Sequence, residues 1–284
     1  MFWRRRDIRT IDELIDDSAA VLHKGICSAG NHNIEPLLSG GHDSIVATHI
    51  ATQHPNFTGR VNHIDTGIGS QYTRGFVERL CDAQGWDLKV WKSPSTYEMF
   101  VRERGFPGPA MHQWAYIRLK ERCVRMITKG KAPRVLVNGC RSAESVRRMG
   151  HVQPVKIGET NKEGKVSERK RIWTAVCHDW SKAEQQLYMD EFGLPVNKLK
   201  VSLGMSGECF CGAFAAPGER EAIKEHAPDI ELEIQRLTVI AKECGKHCVW
   251  GTRPPKDEAK AVESGPLCSS CDRRAGAAGL IITK

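Results

Sequence analysis

Leu37-Leu38-Ser39-Gly40-Gly41-His42-Asp43-Ser44-Ile45-Val46 changes character twice within ten residues. It starts apolar, passes through a serine and two glycines, and resumes a pattern that suits a helix from about residue 43 to 52. A strand that opens a helix through small residues is an anion cradle. Glycines let backbone N–H groups approach phosphate oxygens closely, and the helix start adds partial positive charge. The Ser39 and Ser44 hydroxyls supply further donors. Commoner phosphate loops are excluded by spacing. The chain has no G-x-x-x-x-G-K-[ST], and Gly67-x-Gly69 has Tyr72 where a dinucleotide fingerprint needs its third glycine.

Around this loop, short apolar runs alternate with helical patterns from about residue 10 to 200. Thr10 and Glu13 form a capping box that opens a helix predicted over 10–24, with Gly25 stopping it. A strand is predicted over 34–38, weakened by Pro36. Further strands are expected at 60–64, 87–91 and 134–138. Helices are expected at 70–84, 95–104, 109–127 and 181–191, the last with its own Ser181/Glu184 capping box. Alternation of this kind implies parallel crossovers. The fold expected is α/β, a doubly wound and mostly parallel sheet with helices on both faces. Residues 1–203 form the nucleotide-binding domain in this reading. Residues 204–284 form a small Cys-rich appendage carrying one long helix over 219–243.

Composition narrows the class. The hydrophobic fraction is 40%, charged residues make up 27%, and no apolar run reaches the ~18 residues of a membrane span. The start, Met1–Asp7, is basic without a following apolar stretch, so no signal peptide is read there and a cytoplasmic location is expected. In a reducing compartment, 11 cysteines point to metal ligation or catalysis rather than disulfides. A net charge of +8 favours an anionic partner.

The loop Ser39-Gly40-Gly41-His42-Asp43-Ser44 resembles the pyrophosphate loop of the adenine-nucleotide α-hydrolase (PP-loop) superfamily. The wider pattern resembles its phosphoadenosine phosphosulfate (PAPS) reductase branch, over roughly residues 30–215. Three further segments match in order. His63-Ile64-Asp65-Thr66-Gly67 is similar to the D-T-G that cradles adenosine. Gly139-Cys140-Arg141-Ser142-Ala143-Glu144-Ser145-Val146-Arg147-Arg148 resembles a G-x-R-x-x-E-S-x-x-R segment. Its arginines face the nucleotide's anionic groups. Trp180-Ser181 and Leu194-Pro195-Val196-Asn197 resemble the segment that follows. The resemblance implies that the nucleotide is held by Ser39–Ser44, Asp65, Thr66, Gly67, Gly139, Arg141, Glu144 and Ser145. Asp43, Arg141 and Arg148 are the implied catalytic residues.

The cysteines bear on mechanism. Cys209-x-Cys211 stands where cluster-bearing relatives carry C-x2-C, and Cys244-x3-Cys248 and Cys268-x2-Cys271 follow. Close pairs suit metal, because each pair can grip one ion from a tight turn. Cys209, Cys211, Cys268 and Cys271 would suit a [4Fe–4S] cluster. Cys244, Cys248, Cys268 and Cys271 would suit a zinc knuckle. Glu243-Cys244-Gly245-Lys246-His247 resembles the E-C-G-x-H of sulfonucleotide reductases, whose cysteine attacks sulfur. Cys27, Cys81, Cys123 and Cys177 read as packing. The basic stretch Lys156–Arg171 reads either as a solvated loop or hairpin, or as a nucleic-acid backbone contact.

Two activities follow from the resemblance. One adenylylates a substrate with ATP for sulfur transfer, with a sulfur donor as partner and nucleic acid as a candidate acceptor. The other reduces PAPS or its unphosphorylated analogue APS with a thioredoxin-like reductant. A non-catalytic nucleotide- and cluster-binding module is the third reading. The double glycine favours ATP.

Overall fold

The computed structural model describes residues 8–30, 33–130, 132–144, 153–160 and 166–254. These residues fall into two compact units. One draws on the chain up to Pro36, on His42–Gly59 and on the stretch ending at Pro195. The other draws on Leu37–Gly41, Arg60–Gly130 and the chain from Val196 on.

The first unit is built on a four-stranded sheet in the order β1-β4-β6-β5, formed by β1 (Ile34–Pro36), β4 (Arg134–Asn138), β6 (Val166–Ala175) and β5 (Val155–Thr160). β1 pairs parallel with β4, and β4 with β6, while β5 and β6 form an antiparallel hairpin. Helix α1 (Ile11–Ala29) opens on the expected capping box. It does not stop at Gly25. It continues to Ala29 and ends on Gly30, whose φ of 60° supplies the left-handed cap. Gly25 instead marks a close approach. A Cβ there would lie 3.1 Å from the Thr174 Cγ2 and closer still to its Oγ1. Helix α2 (His42–Thr52) is buried along Ser44–Ala51, which explains why its sequence is apolar on every side.

The second unit holds the parallel pair β2 (Arg60–Asp65) and β3 (Asp87–Lys92), with Leu37 bridging to Asn62 beside β2. Helix α3 (Gln71–Gln84) is capped by Ser70, and α4 (Tyr97–Arg104) by Thr96. The helix expected over 109–127 is subdivided. A 3₁₀ turn leads into α5 (His112–Tyr116), then a π-helical turn (Ile117–Glu121), then α6 (Arg122–Ile127). Taken together, the sheets are mixed and mostly parallel and are flanked by helices, as the alternation implied.

The expected boundary at residue 203 falls inside the second unit. Phe210, Ile234, Leu237 and Trp250 share one hydrophobic core with Ile68, Tyr97 and Phe100. The single helix expected over 219–243 is two, α9 (Glu219–His226) and α10 (Pro228–Glu243), with α7 (Lys182–Glu191) and α8 (Lys198–Leu203) preceding them in the chain. Pro228 has no amide to donate to the preceding turn, so it begins a new helix. Among the described residues, no helix is long and apolar enough to cross a membrane.

The Gly25 contact predicts an inverted helix propensity. Gly25→Ala should lose about 1–2 kcal/mol in urea unfolding despite alanine's intrinsic helix advantage. Adding Thr174→Ala should recover most of that loss.

Candidate nucleotide site

In the first unit, the start of α2 meets the loop after β4. Gly139 in that loop lies against the first turn of α2, where a Cβ would come within 2.6 Å of the Ser44 amide nitrogen. Backbone on both sides leaves no side chain to give way. The approach brings Arg141 onto Asp43, to which its Nε donates, while its Nη1 donates to the Trp180 carbonyl at 3.3 Å. Gln185 on α7 adds Nε2 to the same Asp43 Oδ1 at 2.6 Å. Arg141 is only 4% exposed, so its guanidinium is held by protein groups rather than presented freely. Helix α7 is fixed in turn by its Ser181/Glu184 capping box and by Arg9, which donates Nε to Glu184 at 2.8 Å.

Ser39, Gly40 and Gly41 belong to the second unit. Gly40 has a φ of 79°, which only glycine adopts without strain. The fully buried Asn197 organises this arm. Its Nδ2 donates to the Gly40 carbonyl at 3.1 Å, to the Thr73 Oγ1 at 3.2 Å and to the Ser206 carbonyl at 2.9 Å. Its Oδ1 accepts the Leu199 amide and caps α8. His63 meets the Leu38 carbonyl at 2.8 Å through Nδ1.

Asp65 and Gly67 border a cavity of about 190 Å³ that His63, Gly69, Thr73, Arg74 and Glu208 also line. Asp65 accepts the Gly67 amide at 2.9 Å in a tight turn and binds Arg74 Nη1 at 2.9 Å. Thr66 donates to the Glu208 carbonyl at 2.7 Å, and Glu208 pairs with the buried Lys120 at 3.2 Å. The π-helical turn carries Lys120. Of these, Asn197 was visible only as part of a resembling segment, and Gln185, Ser206 and Glu208 carried no signal.

Glu144 closes a short 3₁₀ turn, Ser142–Glu144. Ser145, Arg147, Arg148, Cys268 and Cys271 lie outside the described residues. Cys209 and Cys211 border a narrow cleft with His112, Tyr116 and Lys120. Their loop is pinned by the Tyr97 hydroxyl donating to the Cys211 carbonyl at 2.7 Å and by the Phe210 amide donating to Ile68 at 2.8 Å. Burial pushes the Tyr97 phenol up, and the neighbouring Cys211 and Cys209 add to the shift. Among the described residues, no three His, Cys, Asp or Glu side chains are grouped to hold a metal ion. The described thiols therefore do not by themselves build a centre.

Burial raises the Cys81 thiol to about 12 and the Cys123 thiol to about 11, and it pushes Cys177 up as well, in keeping with packing roles. Cys27 is exposed on α1, contrary to expectation, because the helix turns that position outward beside His23. Arg171, read as part of a nucleic-acid contact, is fully buried on β6 and unavailable for one.

A glycine loop that opens a helix after a parallel strand, with D-T-G after the next strand, defines an α/β protein of the PP-loop superfamily. The family model described as phosphoadenosine phosphosulfate reductase domain matches residues 33–202, and the chain belongs to that family. Among solved structures it is similar to the phosphoadenylyl-sulfate (PAPS) reductase from Candida auris in a phosphate complex. Identity is 17%, coverage 72% of this chain and 94% of that one, and the TM-score 0.47. It is also similar to Candida glabrata FMN adenylyltransferase in complex with FMN and the ATP analog AMPCPP. There the identity is 15%, coverage 72% and 65%, and the TM-score 0.46. The chain thus spans just under two thirds of that adenylyltransferase. No curated protein matches.

Replacing Asn197 would strip this donor from the buried Gly40 carbonyl and the Thr73 hydroxyl, while the Ser206 carbonyl keeps the Thr73 hydroxyl as its donor at 2.6 Å. Asn197→Ala should lower unfolding stability by about 2–3 kcal/mol, each unmet buried group costing about 1–3 kcal/mol before water enters. Asn197→Asp, which keeps the size and loses the NH₂, should be no better.

Proposed function

We propose that the chain binds ATP at Ser39–Ser44 and adenylylates a substrate for sulfur transfer. In this reading a substrate oxygen attacks the α-phosphorus, the bond to the bridging oxygen breaks, and pyrophosphate leaves with the substrate's proton passing to solvent. A sulfur nucleophile then displaces AMP. The Gly40–Gly41 backbone and the positive end of α2 would carry the pyrophosphate, with the Ser39 and Ser44 hydroxyls as donors. Asp65, Thr66 and Gly67 would carry the adenosine, beside the cavity that Asp65 and Gly67 line. Gly139, Glu144 and Ser145 remain assigned to the nucleotide, and Arg148 to the developing charge. Arg141 is reassigned here from direct nucleotide contact to holding Asp43.

The observation that carries this choice is the state of Cys244, the nucleophile of the competing reductase reading. Cys244 terminates α10, donating its amide to the Ile240 carbonyl at 3.0 Å. Gly245 follows at φ 64°, and the Lys246 amide closes back on Ala241 at 2.8 Å, completing a helix stop. The next residue is fastened too. The Phe106 amide donates to the His247 carbonyl at 2.9 Å, and Gly105 packs so closely there that a Cβ would lie 2.6 Å from the His247 nitrogen. A sulfur-attacking cysteine has to reach the substrate sulfur, and this one is anchored on both sides. One feature favours the reductase reading: Arg102, held by Glu98, also reaches the Cys244 thiol. A cation beside a thiol is the usual companion of a nucleophilic cysteine.

Two measurements test the reading. With its acceptor present, the protein should exchange labelled pyrophosphate into ATP. Gly41→Val should abolish that exchange and Cys244→Ser should leave it intact. Sulfite formed from PAPS or APS with thioredoxin, and lost in Cys244→Ser, would overturn the proposal.

The metal assignment is likewise proposed: Cys209, Cys211, Cys268 and Cys271 as ligands of a [4Fe–4S] cluster, or Cys244 and Cys248 with Cys268 and Cys271 as a zinc knuckle. Anaerobically purified protein should contain about four irons per chain and absorb broadly near 400 nm, as a cubane cluster does. Cys209→Ser should remove both signals. One zinc per chain in colourless protein would select the knuckle, and absence of both metals would discard the assignment.

A further inference from the structure

Asp43 sits where a carboxylate needs an explanation. It occupies the first turn of α2, the helix end proposed to meet pyrophosphate, so an unbalanced negative charge there would repel the ligand. Two donors converge on one oxygen of its side chain, Oδ1: the Arg141 Nε and the Gln185 Nε2, the latter at 2.6 Å. Arg141 supplies the compensating charge. Gln185 supplies direction, because it approaches from α7 whereas Arg141 approaches from the loop after β4. Two donors from separate elements fix the rotation of the carboxylate, which one donor alone would not. Gln185 is 6% exposed, so this hydrogen bond is sheltered from competing water. Its backbone is fixed as well, since its amide donates to the Ser181 carbonyl at 3.1 Å inside the capped first turn of α7.

We infer that Gln185 is a positioning residue for the nucleotide site. Acting through Asp43, it holds the first turn of α2 in the shape that receives a nucleotide pyrophosphate. The inference rests on the ATP reading of Ser39–Ser44, and its test separates the two. A glutamine suits the task because it donates to the carboxylate at every pH without adding charge. Among the described residues, the titratable or charged groups beside Asp43 include its α2 neighbour His42 as well as Arg141, Cys177 and Glu184. Arg141 is bound to it. Cys177 is a thiol that burial keeps protonated, with Asp43 itself reinforcing the shift. Glu184, the neighbour of Gln185, is taken up by Arg9.

The experiment measures ATP affinity by calorimetry between pH 6 and 9, together with hydrogen–deuterium exchange of residues 42–46 in the unliganded protein. Gln185→Leu should weaken ATP binding about tenfold, the worth of one hydrogen bond to a charged group, and should speed exchange at 42–46. Gln185→Glu is the more telling variant. Protonated, it still donates to Asp43; ionised, it repels it. Its affinity relative to wild type should therefore fall as pH rises, which a purely packing role would not produce. Unchanged ATP affinity in Gln185→Leu, or a Gln185→Glu ratio flat across pH, overturns the inference. If wild-type protein fails to bind ATP while Gln185→Leu still speeds exchange at 42–46, the ATP reading falls and the holding of α2 by Gln185 stands. If exchange is also unchanged, both fall.

Discussion

No side chain fits between the loop that leaves β4 and the first turn of α2. Gly139 meets the backbone of Asp43 and Ser44 so closely that a single methyl group would force the two apart. The consequences run through the first unit. Because Gly139 lets the loop come this near, Arg141 reaches Asp43 while its Nη1 reaches the Trp180 carbonyl. That last contact ties the loop to the segment opening α7, and α7 returns Gln185 to the same carboxylate. The start of α2 is thus held from the loop after β4 and from α7. Glu184 adds a further tie, since the Arg9 guanidinium that precedes α1 binds it. Four elements distant in sequence are linked through two carboxylates.

The second unit solves a related problem with a neutral group. A loop with positive φ at Gly40 exposes carbonyls that must be satisfied. Asn197 gathers the carbonyls of Gly40 and Ser206 and the Thr73 hydroxyl onto one NH₂ while its own oxygen caps α8. Gly207 fits the same crowding. At φ 75° it lies where a Cβ would meet the Thr73 Oγ1 at 2.5 Å. The residues from 196 to 254 are therefore part of what shapes the Ser39–Gly41 arm, besides sharing the core with α4.

What could be read from the sequence was what is decided locally. Thr10/Glu13, Ser70 and Ser181/Glu184 all start helices where the pattern put them, because a cap needs only the amides two and three residues on. Where a tertiary contact decides, local pattern misleads. Gly25 and Gly30 look alike as stop signals. Thr174, 149 positions away from Gly25, makes the first a packing residue and leaves the second as the stop. The stretch read as a solvated loop or hairpin forms the β5–β6 hairpin, but its many cations suggested solvent throughout, and one of them, Arg171, is entirely buried. The π-helical turn at Ile117–Glu121 has no composition signal at all. The site divides in the same way. Ser39–Ser44 was legible because glycines, serines and a helix start follow one another directly. Gln185 was not, because its role is defined by a carboxylate 142 residues earlier.

The distribution of charge also argues for how an anion would be recognised. The chain carries a net +8, yet several cations among the described residues are already engaged. Arg141 binds Asp43, Arg74 binds Asp65, and Lys120 binds Glu208. A buried cation stripped of its carboxylate would be costly, so the Arg141 and Lys120 pairs are expected to persist when ligand arrives. Beside the proposed Arg148, recognition of pyrophosphate would then rest on groups that carry no net charge: backbone amides around Gly40 and Gly41, serine hydroxyls, and the aligned dipoles of α2. Such donors are fixed by the fold before binding and need no reorganisation when charge develops on the phosphates. They also release a charged product more readily than a free guanidinium pair would, a useful property in a site proposed to expel pyrophosphate at each turnover.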